Sequence, residues 1–185
     1  MSIFKRIYLV KKLVLSDLYR YTGRICLKLF LSTYVKSPGF NFTVWYRICS
    51  EFDSIPMKFL LMRKRIKFGI DIYPKTRIGR GFYIGHFGTI IVSPLAIIGD
   101  NCNISQGVTI GMISRGKKEG APEIGDCVYI GPGAKLIGNI RIGNNVAIGA
   151  NAVIIKDVPD NGVVVGIPGR VVSFDGARDY VINLT

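Results

Sequence analysis

Hydrophobic positions in the C-terminal two thirds of the chain recur every six residues. An aliphatic residue is usually followed by Gly, and a small residue comes four places on. In the main register the Ile-Gly pairs begin at Ile78, Ile84, Ile98, Ile110, Ile124, Ile130, Ile142 and Ile148. A helix buries every 3.6th residue and a strand every second, so neither explains this period. We predict short parallel strands, three repeats to a triangular coil, stacked around one aliphatic column.

Two longer gaps interrupt this repeat. One runs from Ile84 to Ile98 and contains His86, which is the chain's only histidine. The other runs from Ile110 to Ile124 and is rich in Ser, Gly and Lys. An insertion in a repeat protein removes ladder hydrogen bonds locally. Such an insertion is therefore usually tolerated only where it serves binding. Counting turns puts Ile84 and Ile104 on one face, so we expect Gln106 to stack near His86.

The first 70 residues lack the repeat and are predicted to be helical. Ser16 resembles an N-cap with Asp17 in the first turn, and residues 37–39 form a Ser-Pro-Gly break. Further helices are predicted over residues 42–52 and 57–68. The expected domains are a basic helical region (1–70), a repeat domain (71–172) and a C-terminal tail (173–185).

The basic charge is concentrated in that helical region. The chain has a net charge of +13, and residues 1–70 hold 14 Lys/Arg against 3 Asp/Glu. Two interpretations stay open: an amphipathic helix on an anionic membrane, or helices that pack together and expose a basic surface. Nucleic-acid binding is not expected, because no recognition motif accompanies the charge.

Several site chemistries are excluded by composition. One histidine and four cysteines without a C-x-x-C pair leave no basis for a metal site or a disulfide framework. Residues 111–118 nearly match a phosphate loop, but Lys118 replaces the magnesium-binding hydroxyl and the repeat resumes at Ile124. No signal peptide is apparent at the N-terminus, so we expect a cytoplasmic protein.

An ordered set of motifs resembles the hexapeptide-repeat acyltransferases, in the branch of serine acetyltransferases and polysaccharide O-acetyltransferases. The matching stretches are Pro-Gly-Phe at 38–40, Tyr-Arg-Ile at 46–48, Asp-Ile-Tyr-Pro at 71–74, Ile-Gly-Arg-Gly at 78–81, His86, residues 104–111 and residues 165–170. The resemblance implies a left-handed parallel β-helix with an N-terminal α-helical region. It also implies a homotrimer with active sites between subunits.

The same resemblance assigns roles to single residues. His86 would be the general base of a direct acetyl transfer from acetyl-CoA to a hydroxyl. Gly111 would offer an N–H to the tetrahedral intermediate. The resemblance places the remaining site residues in two groups: Asp71, Gly85 and Gln106 at the acceptor, and Gly111, Gly131, Gly149, Ala150, Lys156 and Arg170 at the coenzyme. No metal is expected.

Three departures from the serine acetyltransferase pattern bear on the acceptor. Gly85 stands where that branch has Asp before the catalytic His, and Gly120-Ala121 stand where it has Arg-His. We therefore expect an O-acetyltransferase for a sugar hydroxyl of a bacterial surface polysaccharide or its precursor, and peripheral membrane contact through residues 1–70 stays one of the two open interpretations of the basic region. The alternatives are serine O-acetylation for cysteine synthesis and a non-catalytic scaffold. A backbone carbonyl, Glu119 or Glu123 would orient His86.

Overall fold

The computed structural model describes residues 2–52 and 54–185, and four helices precede the strands in it. The helices are α1 (Ile3–Thr22), α2 (Leu27–Lys36), α3 (Pro38–Glu51) and α4 (Ile55–Phe68). Gly69, at φ 60°, caps α4 in the left-handed conformation that glycine adopts without a steric penalty. The first strand begins at Ile70. The domain division at residues 70 and 172 stays a prediction.

Fifteen short strands follow, almost all of two or three residues. They are β1 (Ile70–Ile72), β2 (Arg77–Ile78), β3 (Tyr83–Ile84), β4 (Ile90–Val92), β5 (Ile97–Ile98), β6 (Asn103–Ile104), β7 (Thr109–Gly111), β8 (Glu123–Ile124), β9 (Tyr129–Ile130), β10 (Lys135–Ile137), β11 (Arg141–Ile142), β12 (Ala147–Ile148), β13 (Val153–Ile154), β14 (Val163–Val165) and β15 (Arg170–Ser173).

These strands form three sheets, one on each side of a triangular solenoid. Sheet A has the order β1-β4-β7-β10-β13, sheet B β11-β8-β5-β2, and sheet C β15-β14-β12-β9-β6-β3. All pairings are parallel except that of β14 with β15. The fold is a left-handed parallel β-helix of about five turns with an N-terminal helical region, as predicted. We call its three edges the AB, BC and CA corners, after the sheets that each one joins.

The six-residue period places one aliphatic side chain per side into the interior. On sheet C, Ile84 pairs with Ile104, Ile104 with Ile130, Ile130 with Ile148, and Ile148 with Val164. All five side chains are buried. Burying each contributes about 1.5–3 kcal/mol, so the column dominates the stability of the solenoid.

The two register breaks are insertions at specific corners. Ile84 pairs with a residue 20 places later, but Val92 pairs with Ile110, 18 places later. Two extra residues therefore enter the CA corner that holds His86. The second insertion leaves the AB corner after β7 as a loop of exposed residues, closed by an antiparallel bridge between Ile113 and Gly120.

The predicted helix start at Ser16 is wrong. Helix α1 begins at Ile3 with Ser2 as its N-cap and runs through Ser16, whose hydroxyl donates to the Leu13 carbonyl at 2.8 Å. Asp17 lies in the core rather than in an exposed first turn. A buried cation on another helix pairs with the Asp17 carboxylate and stabilises its burial. The helices predicted over 42–52 and 57–68 are confirmed as α3 and α4, which each begin earlier.

That buried cation is Arg47 of α3. Its guanidinium contacts both carboxylate oxygens of Asp17, at 2.9 and 3.0 Å, and also donates to the Ile78 carbonyl at 2.7 Å. Asp17 in turn accepts from the Phe82 backbone N–H at 2.8 Å. Burial raises the pKa of Asp17, and the Arg47 charge opposes that rise. The pair joins two helices to the first coil.

The C-terminal tail packs back along the solenoid. Strand β15 reverses onto β14, and Tyr180 stacks on Tyr129 with ring centroids 4.4 Å apart. The Arg20 guanidinium of α1 donates to the Ile182 carbonyl at 2.8 Å. The tail therefore connects the last coil to the helical region.

A ladder of left-handed residues turns the chain at the BC corner. Asn101, Cys127, Asn145 and Asn161 have φ of 56°, 57°, 52° and 62°. Asparagine adopts this conformation more readily than cysteine. We predict that Cys127→Asn raises Tm by about 2–4 °C, as a gain of about 1 kcal/mol does for a chain of this size. Thermal unfolding followed by circular dichroism measures it.

Cys127→Ser is the matched control, because it removes the thiol without adding an amide. We expect no rise in Tm for that variant. A lower Tm for Cys127→Asn would show that packing of the thiol in the cluster with Ala147 and Ala177 outweighs the backbone preference.

Candidate active site

His86 lies in the two-residue insertion at the CA corner, directly after β3. Its side chain is exposed. The neighbouring Phe87 packs edge-on against Phe68 at the end of α4, with centroids 6.1 Å apart, and this contact ties the corner to the helical region. Within residues 2–52 and 54–185, no hydrogen bond to the His86 imidazole is found. Both ring nitrogens are open to a ligand.

The CA corner collects most of the residues that were predicted from motifs. Because Ile84 pairs with Ile104, His86 and Gln106 occupy equivalent places in successive coils, and Ala150 occupies the same place two coils further on. Gly85, Gly131 and Gly149 share the preceding place. A Cβ on Gly131 would lie 2.7 Å from the Ile148 carbonyl, so stacking of the coils itself requires this glycine.

The remaining predicted coenzyme residues lie elsewhere. Gly111 ends β7 and Lys156 is an exposed residue just after β13, which places both at the AB corner. Arg170 lies in β15, paired with Val165 at the last coil. The structure therefore places the predicted coenzyme residues at the CA corner, at the AB corner and in the last strand of sheet C, and does not gather them in one pocket of a single chain.

Asp71 lines a cavity of about 630 Å³ between α4 and the first coils. Arg65 of α4 holds it, with Nε 2.9 Å from Oδ1 and a second contact from the same guanidinium to the same oxygen. Thr89, three residues after His86, lines this cavity too. Among the residues that the structure describes, no hydrogen bond to Asp71 Oδ2 is found. One carboxylate oxygen is thus left for a ligand.

The environment of Arg65 keeps it charged. Its guanidinium carbon lies 3.8 Å from the Tyr73 ring centroid. Burial opposes the charge, but hydrogen bonds to Asp71 and Tyr73 outweigh burial and raise the pKa of Arg65. The cavity therefore presents a carboxylate and a guanidinium side by side.

The sequence does not point to two charged residues of this region, which are Arg65 in the cavity with Asp71 and Lys135 on sheet A. Arg65 reads as one member of the basic run 63–65, and only its place six residues before Asp71 hints at the pairing. Lys135 lies on the outer face of sheet A, where its Nζ donates to the Gly107 carbonyl at 2.5 Å and contacts Thr109 Oγ1 at 3.1 Å. The outward position in its strand was the available signal.

The glutamates expected to orient His86 lie across sheet A from it. Glu119 belongs to the AB-corner loop and Glu123 begins β8, whereas His86 is at the CA corner. No hydrogen bond joins either one to His86 in the part of the chain that the structure describes. That part also holds no group of three or more His, Cys, Asp or Glu side chains placed to bind a metal ion.

Comparison with known proteins adds the family. Residues 121–156 match the model described as bacterial transferase hexapeptide (six repeats). The serine acetyltransferase of Synechococcus elongatus is 40% identical over 146 residues, which are 76% of this chain and 59% of that protein. The serine acetyltransferase of Staphylococcus aureus (strain Mu50) is 46% identical over 110 residues, 60% of this chain and 52% of that one. The chain thus spans between half and two thirds of these relatives.

Solved structures agree with these relatives. The Neisseria gonorrhoeae serine acetyltransferase in complex with serine is 34% identical, with a TM-score of 0.73 over 87% of this chain and 68% of that one. The soybean enzyme without ligand is 30% identical, with a TM-score of 0.78 over 91% and 71%.

The predicted sugar acceptor is therefore wrong, because these relatives and structural neighbours are serine acetyltransferases, the stated alternative. That prediction counted departures at Gly85, Gly120 and Ala121 and did not include Arg65, which reaches the cavity from a helix outside those motifs. Taken with the five-turn solenoid and its inserted histidine, the comparisons show that this chain belongs to the hexapeptide-repeat acyltransferases, in the branch that contains the serine acetyltransferases.

Proposed function

We propose that this protein is an acetyl-CoA-dependent serine O-acetyltransferase. The observation that carries the proposal is the Arg65–Asp71 pair in the cavity beside the His86 corner. A free amino acid carries an ammonium and a carboxylate, and this pair offers a partner of opposite charge to each. A neutral sugar hydroxyl would use neither charge. The serine-bound gonococcal relative supports the same acceptor.

His86 is the general base in this proposal. Its imidazole takes the proton of the serine hydroxyl as the oxygen attacks the thioester carbonyl. The tetrahedral intermediate is stabilised by backbone N–H donors, with Gly111 of a neighbouring copy as a candidate, because within one chain Gly111 lies at the opposite edge of sheet A from His86. When the intermediate collapses, the protonated His86 returns the proton to the departing thiolate of the coenzyme. The acetyl group passes directly to serine, without a covalent enzyme intermediate.

The coenzyme is assigned to the surface between neighbouring coils. Gly131, Gly149 and Ala150 at the CA corner leave the backbone accessible to it. Lys156 and Arg170, both exposed, supply cations for its phosphates. These residues lie at the CA corner, at the AB corner and in the last strand of sheet C, so a single chain offers only part of the binding surface.

A homotrimer completes the site in this proposal. The AB-corner loop and His86 lie on opposite edges of sheet A. Packing of copies around a threefold axis would place the loop of one copy beside the CA corner of the next, and Glu119 or Glu123 of that copy could then orient His86. We place the reaction in the cytoplasm, where acetyl-CoA is available.

The test is thiol release from acetyl-CoA by the purified protein with L-serine. We expect saturable release with L-serine and none with L-alanine, which lacks the hydroxyl. Serine methyl ester, which lacks the carboxylate, and N-acetylserine, which lacks the ammonium, should be poor acceptors. Asp71→Asn should raise KM for serine about 10–100-fold, the worth of a hydrogen bond to a charged group.

Two results would overturn the proposal. Release that does not depend on serine would assign the site to another acceptor. An absence of acetyl-CoA binding, measured by calorimetry, would leave a non-catalytic scaffold.

A further inference from the structure

One face of α4 carries a row of four large apolar side chains that stay largely exposed. Ile55, Phe59, Met62 and Ile66 are 84%, 52%, 41% and 76% exposed. Their spacing of four, three and four residues places them on one stripe of the helix. An uncovered stripe of four large apolar side chains over a single helix indicates a docking surface.

The opposite face fixes which way this row points. Leu61 and Phe68 are buried, and Met57 packs against the same core. Helix α4 is thus held against α3 and the first strand by one side. The apolar row therefore faces away from the core, and its members Met62 and Ile66 also border the cavity that holds Arg65 and Asp71.

Cations border the row on both sides. Arg63 and Lys67 follow one side at helical spacing and are exposed, and Lys58 lies on the other. The Arg63 guanidinium carbon lies 5.9 Å from the Phe59 ring centroid, so the charge is directly beside the apolar surface. The helix contains no Asp or Glu. Apolar side chains flanked by cations are typical of helices that lie in a lipid headgroup layer.

The charge of this region favours an anionic membrane over a second copy of the chain as the partner of the apolar row. Residues 1–70 hold 14 Lys/Arg against 3 Asp/Glu, and one of those acids, Asp17, is buried with Arg47. Two copies meeting through α4 would bring like charges together, whereas an anionic bilayer complements them. Within the described ranges, no helix is long and apolar enough to cross a membrane. The contact would be with the surface.

We propose that α4 lies flat on an anionic membrane surface, with Ile55, Phe59, Met62 and Ile66 in the headgroup layer. The N-terminal turns of α1 lie close to the start of α4, because Arg6 of α1 donates to the Glu51 carbonyl at the end of α3, just before α4 begins. Phe4 and Tyr8 on those turns are 81% and 69% exposed. Met62 and Ile66 also line the cavity that holds Arg65 and Asp71, so the membrane-facing row adjoins the proposed acceptor site, and vesicle binding is tested separately from acetyl transfer.

Vesicle sedimentation with the full chain tests the inference. We expect binding to phosphatidylcholine vesicles that contain about one third phosphatidylglycerol, and little binding to phosphatidylcholine alone. Binding should fall at about 0.5 M NaCl, because salt screens the attraction. The variant Phe59→Ser/Ile66→Ser keeps the charge and should bind at least tenfold more weakly. Arg63→Gln/Lys67→Gln keeps the apolar row and should lose most of the preference for phosphatidylglycerol.

Leu27→Ser/Val35→Ser is the matched control. These residues of α2 are 74% and 81% exposed, so the variant loses similar apolar surface at another site and should bind as the parent does. Circular dichroism checks that each variant is folded. The proposal is overturned if the parent ignores anionic vesicles or if Phe59→Ser/Ile66→Ser binds equally well. It is also overturned if that variant instead abolishes a concentration-dependent assembly seen without lipid, because a second copy would then cover α4.

Discussion

Replacing His86 by alanine should lower kcat for serine-dependent thiol release by about 10²–10⁴-fold, the usual contribution of a general base. The hydroxyl of serine is a weak nucleophile unless its proton is removed during the attack. His86 is the chain's only imidazole, so no second histidine can replace it. Steady-state kinetics with acetyl-CoA and L-serine measure the loss.

The same substitution should leave the fold and the coenzyme affinity unchanged. His86 is exposed, and its imidazole accepts or donates no hydrogen bond within residues 2–52 and 54–185, so Tm should stay within about 1 °C of the parent. Gln106→Ala is the matched variant one coil along the same corner, and because Gln106 is assigned to the acceptor it should raise KM for serine and leave kcat largely unchanged. If His86→Ala retained nearly full kcat, the base would have to be another group.

Removing the buried cation Arg47 should have the largest effect on stability. Arg47→Met leaves the Asp17 carboxylate, which is 0% exposed, without its counter-ion. Loss of one partner of a buried pair costs about 3–5 kcal/mol, which lowers Tm by roughly 6–20 °C in a chain of this size. Urea unfolding followed by circular dichroism measures the difference.

The loss of stability in Arg47→Met should depend on pH. Burial raises the pKa of Asp17 above its ordinary value of 3.8, and loss of the Arg47 charge removes the opposing effect. A carboxyl whose pKa is raised on folding stabilises the folded state at low pH. This stabilisation is lost as pH rises through the raised pKa. Arg47→Met should therefore be less destabilised at acidic than at neutral pH.

Two further variants distinguish the buried charge from the loss of a large side chain. Asp17→Leu/Arg47→Met removes both charges and should recover part of the stability, because no unpaired charge remains. Arg80→Met breaks the exposed pair with Asp100, at 2.9 Å, and should cost less than about 1 kcal/mol. Equal losses in Arg47→Met and Arg80→Met would contradict the argument.

The acceptor shows where motif comparison was insufficient. Gly85, Gly120 and Ala121 stand at positions where serine acetyltransferases carry polar side chains, and the absence of those side chains favours a sugar acceptor. The charged partner of Asp71 comes from α4, in a stretch that reads as a plain basic run. Its contact with Asp71 depends on how the helix packs against the first coil. The spacing of residues along the sequence does not reveal that packing.

Local periodicity determined the solenoid. A six-residue repeat of aliphatic side chains can be buried only if each repeat turns one corner, so strand positions, their parallel order and the place of His86 in an insertion all follow from the sequence. Tertiary structure alone decided the rest. Asp17 of α1 is buried because Arg47 and the Phe82 N–H meet it there, and Arg65 lines the cavity beside Asp71 because α4 folds over β1. Both positions depend on contacts between different segments of the chain. The energies of these contacts exceed the local preferences that a sequence displays.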